Sequence, residues 1–326
     1  MNFSDSFKQD LLKLSSSDFE AAAVEAFKYQ YRTNKTYQKY CQLLKKSPIT
    51  VRQVSEIPFL PIEMFKEQDI MSGDWAPETT FRSSGTTGQK RSSHKVRDLS
   101  FYKELSQNIF EHQYGPVSGY KIMALLPSYQ QAGDSSLVYM VDHFIQNAKK
   151  GSGFYLDEDQ RLIKELTEDP ESKKILIGVS YALLDLVDRY DVEAGNTIIM
   201  ETGGMKGRRK ELVKEELHSI LQKEFEVESI HSEYGMTELL SQSYSKGKGL
   251  FSAPPSMQIL IRDINDPFDY LPEQKTGGVN IVDLGNIDSC CFVETKDLGK
   301  IEVDNKIRLL GRFDHSDIRG CNLLLA

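Results

Sequence analysis

The chain has 326 residues, of which 39% are hydrophobic and 27% charged, with a formal net charge of −8. That balance excludes a disordered or fibrous chain, and a net negative charge without a long Lys/Arg block gives no electrostatic case for nucleic acid or an anionic membrane surface. No stretch reaches the ~18 apolar residues of a membrane span, and the start, Met1-Asn2-Phe3-Ser4, lacks the basic and apolar regions of a signal peptide, so a cytoplasmic location is expected.

Ser17-Asp18-Phe19-Glu20 has the form of a capping box, and Phe19, Ala23, Ala26, Phe27 and Gln30 keep helical spacing up to Asn34. A second helix is predicted from Tyr37 to Leu44, stopping at Ser47-Pro48, and the two prolines of Ile57-Pro58-Phe59-Leu60-Pro61 then impose an extended connector. The connector leads to Phe81-Arg82-Ser83-Ser84-Gly85-Thr86-Thr87-Gly88-Gln89-Lys90, a run of hydroxyls and glycines closed by a lysine, set between predicted strands. Glycines admit close backbone approach to an anion, hydroxyls and N–H groups donate to phosphate oxygens, and the lysine supplies charge. The run reads as a phosphate loop, with a polar hairpin turn as the alternative. Gly85 and Gly88 are three apart, Gln89 precedes Lys90 and no helix is predicted to start there, which argues against a P-loop NTPase with its G-x-x-x-x-G-K-S/T spacing.

From Leu99 the pattern alternates. A helix is predicted at Leu99–His112, a strand at Lys121–Leu126, a helix at Ser136–Lys149, a strand at Gly153–Leu156 and a helix at Glu158–Glu168. There follow a strand at Lys174–Val179, a helix at Tyr181–Tyr190, a strand at Thr197–Glu201, a helix at Lys206–Phe225 and a strand near Ser229–Glu233. Strands alternating with helices imply parallel βα units, hence an α/β class. Past Ser252 the texture changes to short apolar runs, Met257–Arg262, Gly278–Asp283, Cys290–Glu294 and Lys300–Val303, between turn residues, which predicts a β-rich section. The expected organisation is a helical segment over 1–75 packing on an α/β domain over 76–326, with the β-rich section from about 252.

Three further segments carry polar chemistry. Glu201-Thr202-Gly203-Gly204-Met205 follows a strand and exposes backbone to a flat base; Ser232-Glu233-Tyr234-Gly235-Met236-Thr237-Glu238 offers an aromatic face, a hydroxyl and a carboxylate; Thr295-Lys296-Asp297-Leu298-Gly299 precedes Gly311-Arg312-Phe313-Asp314. Each alone is compatible with an ordinary turn. In this order they resemble the adenylate-forming superfamily, which activates carboxylic acids with ATP. A Ser/Thr/Gly-rich loop ending in Lys, a Gly-Gly segment, Y-G-x-T-E, a Thr-x-Asp segment and G-R-x-D are all present. Leu126-Pro127-Ser128-Tyr129-Gln130-Gln131-Ala132-Gly133-Asp134-Ser135-Ser136 is similar to the acyl-protein synthetase branch, the fatty-acid-activating component of bacterial fatty acid reductase complexes, with Gln130 where other relatives place a His.

The resemblance implies the large α/β domain of these enzymes, mostly parallel sheets flanked by helices, without their small C-terminal hinge domain. It implies that Ser83, Ser84, Gly85, Thr86, Thr87, Gly88 and Lys90 hold the β- and γ-phosphates of ATP and the departing pyrophosphate. Gly203 and Gly204 would line the adenine site, Tyr234 would pack on the base, Thr237 would donate to the α-phosphate and Glu238 would bind Mg²⁺. Asp297 would hold the ribose hydroxyls, with Arg312 donating to the ribose or phosphate. The substrate would be a carboxylic acid, its pocket drawn from Leu126–Met140 and Ile177–Tyr181, and a reductase or carrier protein would be the acyl acceptor. His94 and His231 are left unassigned.

Only Cys321-Asn322-Leu323-Leu324-Leu325-Ala326 follow Gly320, so the hinge domain and its second lysine are expected to be absent. The family resemblance places an acyl-carrying cysteine near the C-terminus, where Cys321 stands. A thiolate is the best side-chain nucleophile for an acyl-adenylate, although a small apolar residue docking the leucine tail is the alternative. Cys290 and Cys291 fall on opposite faces of a predicted strand and Cys41 on a helix, so all three read as packing residues without CxxC pairing or a zinc pattern. The expected activity is an ATP-dependent acyl-protein synthetase; a truncated acyl/aryl-CoA or carrier-protein ligase and a nucleotide-binding scaffold are the alternatives.

Overall fold

The computed structural model describes residues 2–84, 90–128, 130–203 and 212–312. A helix that the sequence pattern did not announce, α1 (Phe3–Leu11), starts where the Asn2 side chain accepts the Asp5 N–H at 3.0 Å. Helix α2 (Phe19–Thr33) buries the five predicted positions, but the capping box does not form. A 3₁₀ turn at Ser16–Asp18 precedes the helix, Ser17 bonds Ser15, and Glu20 reaches away to accept the Val54 N–H at 2.7 Å. A tertiary donor has outcompeted the local one. Asn34 caps α3 (Lys35–Leu43), and the proline-bounded connector supplies β1 (Leu60–Pro61) ahead of the single turn α4 (Met64–Glu67).

The alternating region follows as β2 (Thr79–Arg82), β3 (Ser93–Val96), α5 (Leu99–Tyr114), β4 (Lys121–Leu125), α6 (Ser136–Asn147), β5 (Gly153–Phe154) and α7 (Asp159–Thr167). It continues through β6 (Lys174–Val179), α8 (Ser180–Arg189), β7 (Thr197–Thr202), α9 (Lys214–Phe225), β8 (His231–Tyr234), β9 (Ser243–Ser245) and β10 (Leu250–Ser252). The β-rich section consists of β11 (Met257–Arg262), β12 (Gly277–Asp283), β13 (Phe292–Ile301) and β14 (Ile307–Arg312). The two short runs predicted at Cys290–Glu294 and Lys300–Val303 are one strand, β13, because Thr295–Gly299 keeps pairing with both neighbours rather than turning. The predicted helix from Lys206 is described from Lys214 onward.

The chain divides into two compact units, one of Met1–Ala76 with Ser252–Ala326, the other of Pro77–Phe251. In the first, β11, β12, β13 and β14 pair antiparallel in sequence order, and β1 lies parallel to β13. Its core is aromatic: Phe292 stacks on Tyr37 at 6.0 Å and meets Phe27 and Phe59 edge-on at 6.3 and 6.1 Å. Gln30, fully buried, donates to the carbonyls of Asn286, Ile287 and Ser289 and accepts the Cys291 N–H, so one carboxamide serves four backbone groups of the loop before β13.

In the second unit the strand order is β5-β4-β6-β7-β8-β9-β10, with β4 through β8 parallel and β9 antiparallel to β8. The continuous apolar run of β6 is buried along its length, as a parallel strand between helices requires. Strands β2 and β3 form a separate hairpin whose Phe81 packs on Tyr102 of α5 and Tyr139 of α6. The α/β class and the β-rich section past Ser252 thus follow the sequence pattern. No helix among the described residues is long and apolar enough to cross a membrane.

Candidate active site

Because β4, β6, β7 and β8 are parallel, the turns after them share one edge of the sheet. Gly203 leaves β7 with φ +68°, a left-handed conformation that suits glycine. Tyr234 ends β8 half-buried, its ring 5.9 Å from Phe251, and Thr237 and Glu238 follow, Glu238 only 5% exposed. Sequence-predicted residues Ser83, Ser84, Lys90, Gly203, Tyr234, Thr237 and Glu238 all belong to this second unit. Gly85, Thr86, Thr87, Gly88, Gly204 and Cys321 lie outside the described residues.

The neck of the Ser83–Lys90 loop is closed by the hairpin. The Ser83 N–H donates to the Ser92 carbonyl at 3.1 Å, and the Ser92 N–H to Ser83 Oγ at 3.0 Å. Arg91 donates through Nε to the Ser83 carbonyl and pairs with Asp134 at 2.9 Å, while the Asp134 carbonyl accepts the Arg82 N–H at 2.7 Å. Ser83 therefore has a structural duty besides the phosphate role assigned to it. Ser84 and Lys90 are exposed.

His94, left unassigned from sequence, sits on β3 at 1% exposure with Nδ1 2.9 Å from the Thr237 carbonyl. It ties the hairpin carrying the loop to the segment carrying Thr237 and Glu238. Burial depresses its pKa to about 4, against a smaller opposing effect of the Thr237 bond, so it is neutral and Nδ1–H is the donor. His94→Ala is expected to cost about 1–3 kcal/mol by removing a buried ring and its bond to the part-buried Thr237 carbonyl, measured by urea unfolding. Its native pKa lies below the free value of 6.5, so the stability it contributes is present above 6.5 and lost as pH falls through about 4. His94→Gln, which keeps a donor but cannot titrate, is expected to flatten that acid limb.

Two buried carboxylates lie near the ends of β7 and β8 on opposite faces of the sheet, Glu201 in register with Ser232 and Glu233 with Thr202. Glu201 receives Lys214 Nζ at 2.5 Å and His218 Nε2 at 3.4 Å from α9, and Ser180 donates to its other oxygen at 3.3 Å. Burial pushes its pKa up, but His218 and the Lys214 charge outweigh this and hold it at about 2. No ion pair among the described residues reaches Glu233: Thr202 Oγ1 donates to it at 2.5 Å, and burial, reinforced by Glu201, outweighs that bond and the Lys214 charge and raises it to about 7. Neither was legible as functional, since a lone polar residue at a strand end is indistinguishable from ordinary turn chemistry. Among the described residues no cluster of three or more His, Cys, Asp or Glu can hold a metal ion.

In the first unit Asp297 and Arg312 face each other across β13 and β14, Nε to Oδ1 3.1 Å, with Asp297 8% exposed. The Thr295 hydroxyl accepts the Asp297 N–H and donates to the Val279 carbonyl. Buried Arg262 braces this strand by donating to the carbonyls of Thr295 and Val279. A Cβ on Gly278 would lie 2.4 Å from the Arg262 guanidinium carbon, which explains that glycine. Cys41, Cys290 and Cys291 are buried free thiols, and burial pushes Cys41 up to about 12 and the other two higher, which makes them poor nucleophiles.

A model of the family described as acyl-protein synthetase, LuxE, matches residues 7–326. No curated protein matches the chain. Among solved structures, an open conformation of 2-hydroxyisobutyryl-CoA ligase in complex with 2-HIB-AMP and CoA is similar at TM-score 0.65 and 10% identity, over 92% of this chain and 76% of that one. ATP-bound MatB from Rhodopseudomonas palustris is similar at TM-score 0.51 and 16% identity, over 72% of this chain and 47% of that one. The chain spans about half the length of the MatB structures it matches, and these likenesses establish the fold.

Proposed function

Because the chain belongs to the LuxE acyl-protein synthetase family, we propose that it activates a carboxylic acid with ATP and passes the acyl group to a thiol. The reading is carried by the second unit, which gathers Gly203, Tyr234, Thr237 and Glu238 at the carboxyl edge of a parallel sheet. A substrate carboxylate attacks the α-phosphorus, forming the acyl-adenylate as the bond to pyrophosphate breaks. Little protein nucleophile is needed for this step, and its barrier is lowered by positioning and by neutralising phosphoryl charge. Lys90 and the hydroxyls of the Ser83–Lys90 loop hold the departing pyrophosphate, and Thr237 donates to the α-phosphate. Glu238 is suited to Mg²⁺, which binds through one or two carboxylates plus phosphate oxygens and, when bound, offsets phosphate charge. Asp297 and Arg312 take the ribose, the carboxylate accepting from both hydroxyls.

In the second half-reaction the Cys321 thiolate attacks the acyl carbonyl, AMP leaves, and the thioester is handed to a reductase or carrier protein. A fatty acid and a cytoplasmic setting fit this reading. Acid-dependent exchange of labelled pyrophosphate into ATP tests the first step across fatty and aromatic acids, and its absence throughout the panel refutes adenylation. Labelled acid plus ATP should leave hydroxylamine-sensitive label on the protein. Cys321→Ser is expected to bring that label to background, and label persisting in this variant would remove Cys321 from the reaction.

A further inference from the structure

Thr202 and Glu233 are cross-strand partners on β7 and β8, joined by the Thr202 hydroxyl donating to Glu233 Oε2. Each is the last residue before a turn assigned to adenine: Thr202 precedes Gly203, and Glu233 precedes Tyr234. The second carboxyl oxygen is folded beneath the other turn. A Cβ on Gly235 would stand 2.6 Å from Glu233 Oε1, so the carboxyl fills the space that a side chain there would need. One buried group therefore bonds the strand residue before Gly203 on one side and packs directly against Gly235 on the other.

We infer that Glu233 is a positioning residue that ties the end of β7 at Thr202 and Gly203 to the Tyr234 turn and sets the fit of the adenine slot. This rests on the ATP reading above. The surroundings of Glu233 oppose a charge there. Among the described residues its partner on β7 is Thr202, with the ionised Glu201 one position back on the other face; on α9 Lys214 is committed to Glu201, with His218 on the same carboxylate; on β9 its partner is Tyr244. Tyr244 is itself buried, and that burial holds its phenol protonated. Glu233 titrates near pH 7, so it is neutral below that value and ionised above it. An ionised carboxylate in this position draws water or shifts towards Lys214, and either movement loosens both turns.

The expected result is a KM for ATP, in pyrophosphate exchange, that rises about tenfold between pH 6 and 8.5 while kcat changes less than about threefold. Adenosine, which has no group titrating in that range, should weaken in parallel as a competitor. Glu233→Gln, fixed neutral at nearly the same shape, is expected to hold both values flat across the range. Thr202→Val, which keeps volume and removes the donor, should raise KM about tenfold already at pH 6, with its fold checked by thermal unfolding. A Glu233→Gln profile superimposable on that of the unaltered protein would overturn the inference, as would a Thr202→Val variant with unchanged KM. Those outcomes leave the ATP reading standing, whereas no exchange and no adenosine or ATP binding by the unaltered protein would remove that reading itself.

Discussion

Glu238→Gln is expected to slow acid-dependent pyrophosphate exchange by about 10²–10³-fold, the size of effect seen when one charge-stabilising group is removed from a transition state. The substitution keeps the shape of a side chain that is 5% exposed but removes its charge and turns one acceptor oxygen into a donor, so retention of the fold is checked by thermal unfolding. A cation held by Glu238 loses its protein carboxylate in this variant. Raising the Mg²⁺ concentration should recover part of the rate, because a weakened site is refilled by mass action. Steady-state exchange assays over a Mg²⁺ series measure this, and a loss below tenfold with no Mg²⁺ dependence would take the metal role away from Glu238.

The largest stability effect is expected at Gln30. Its carboxamide satisfies three carbonyls and one N–H in a loop more than 250 positions away in sequence, all of them buried. Gln30→Ala leaves these groups without that partner in a space too small to hydrate freely, at a cost of about 3–5 kcal/mol. Gln30→Glu keeps the volume but turns a double donor into an acceptor against carbonyls, and is expected to be no less harmful. Chemical denaturation monitored by near-ultraviolet circular dichroism, which reports the Phe27, Tyr37 and Phe292 cluster, measures both. A midpoint shift worth less than 1 kcal/mol in Gln30→Ala would show that the loop finds other partners.

The βα alternation from Leu99 to Tyr234 could be read from the chain because each element carries its own periodicity and turn residues, and a parallel strand buried on both faces betrays itself as an apolar run such as Ile175–Val179. Motif placement at strand ends followed from the same reading. Other features were hidden for physical reasons. The capping box at Ser17–Glu20 failed because a backbone donor from residue 54 competed for Glu20, and local patterns carry no information about such donors. Strand β13 looked like two strands because Asp297 and Gly299 interrupt its apolar alternation, yet the pairing of Asp297 with Arg312 across the ladder makes that polar position favourable. His94, Glu201 and Glu233 owe their character to burial and neighbours, properties of the folded chain that no short window contains.

The first unit is discontinuous, and that has a consequence for synthesis. Helices α1 to α3 leave the ribosome early, but Phe292, Asp288 and the carbonyls that Gln30 serves arrive only after the whole of 77–251 has been made. At about 5–20 residues per second, that stretch of roughly 175 residues takes on the order of 10–35 s. Throughout that interval Phe27 has Tyr37 of α3 but lacks Phe292, and the Gln30 carboxamide lacks its backbone partners, while the second unit already has every strand it needs to fold. The nascent protein is therefore most exposed to holdase chaperones and proteases at helices α1 to α3, which are translated before the second unit yet complete their packing after it.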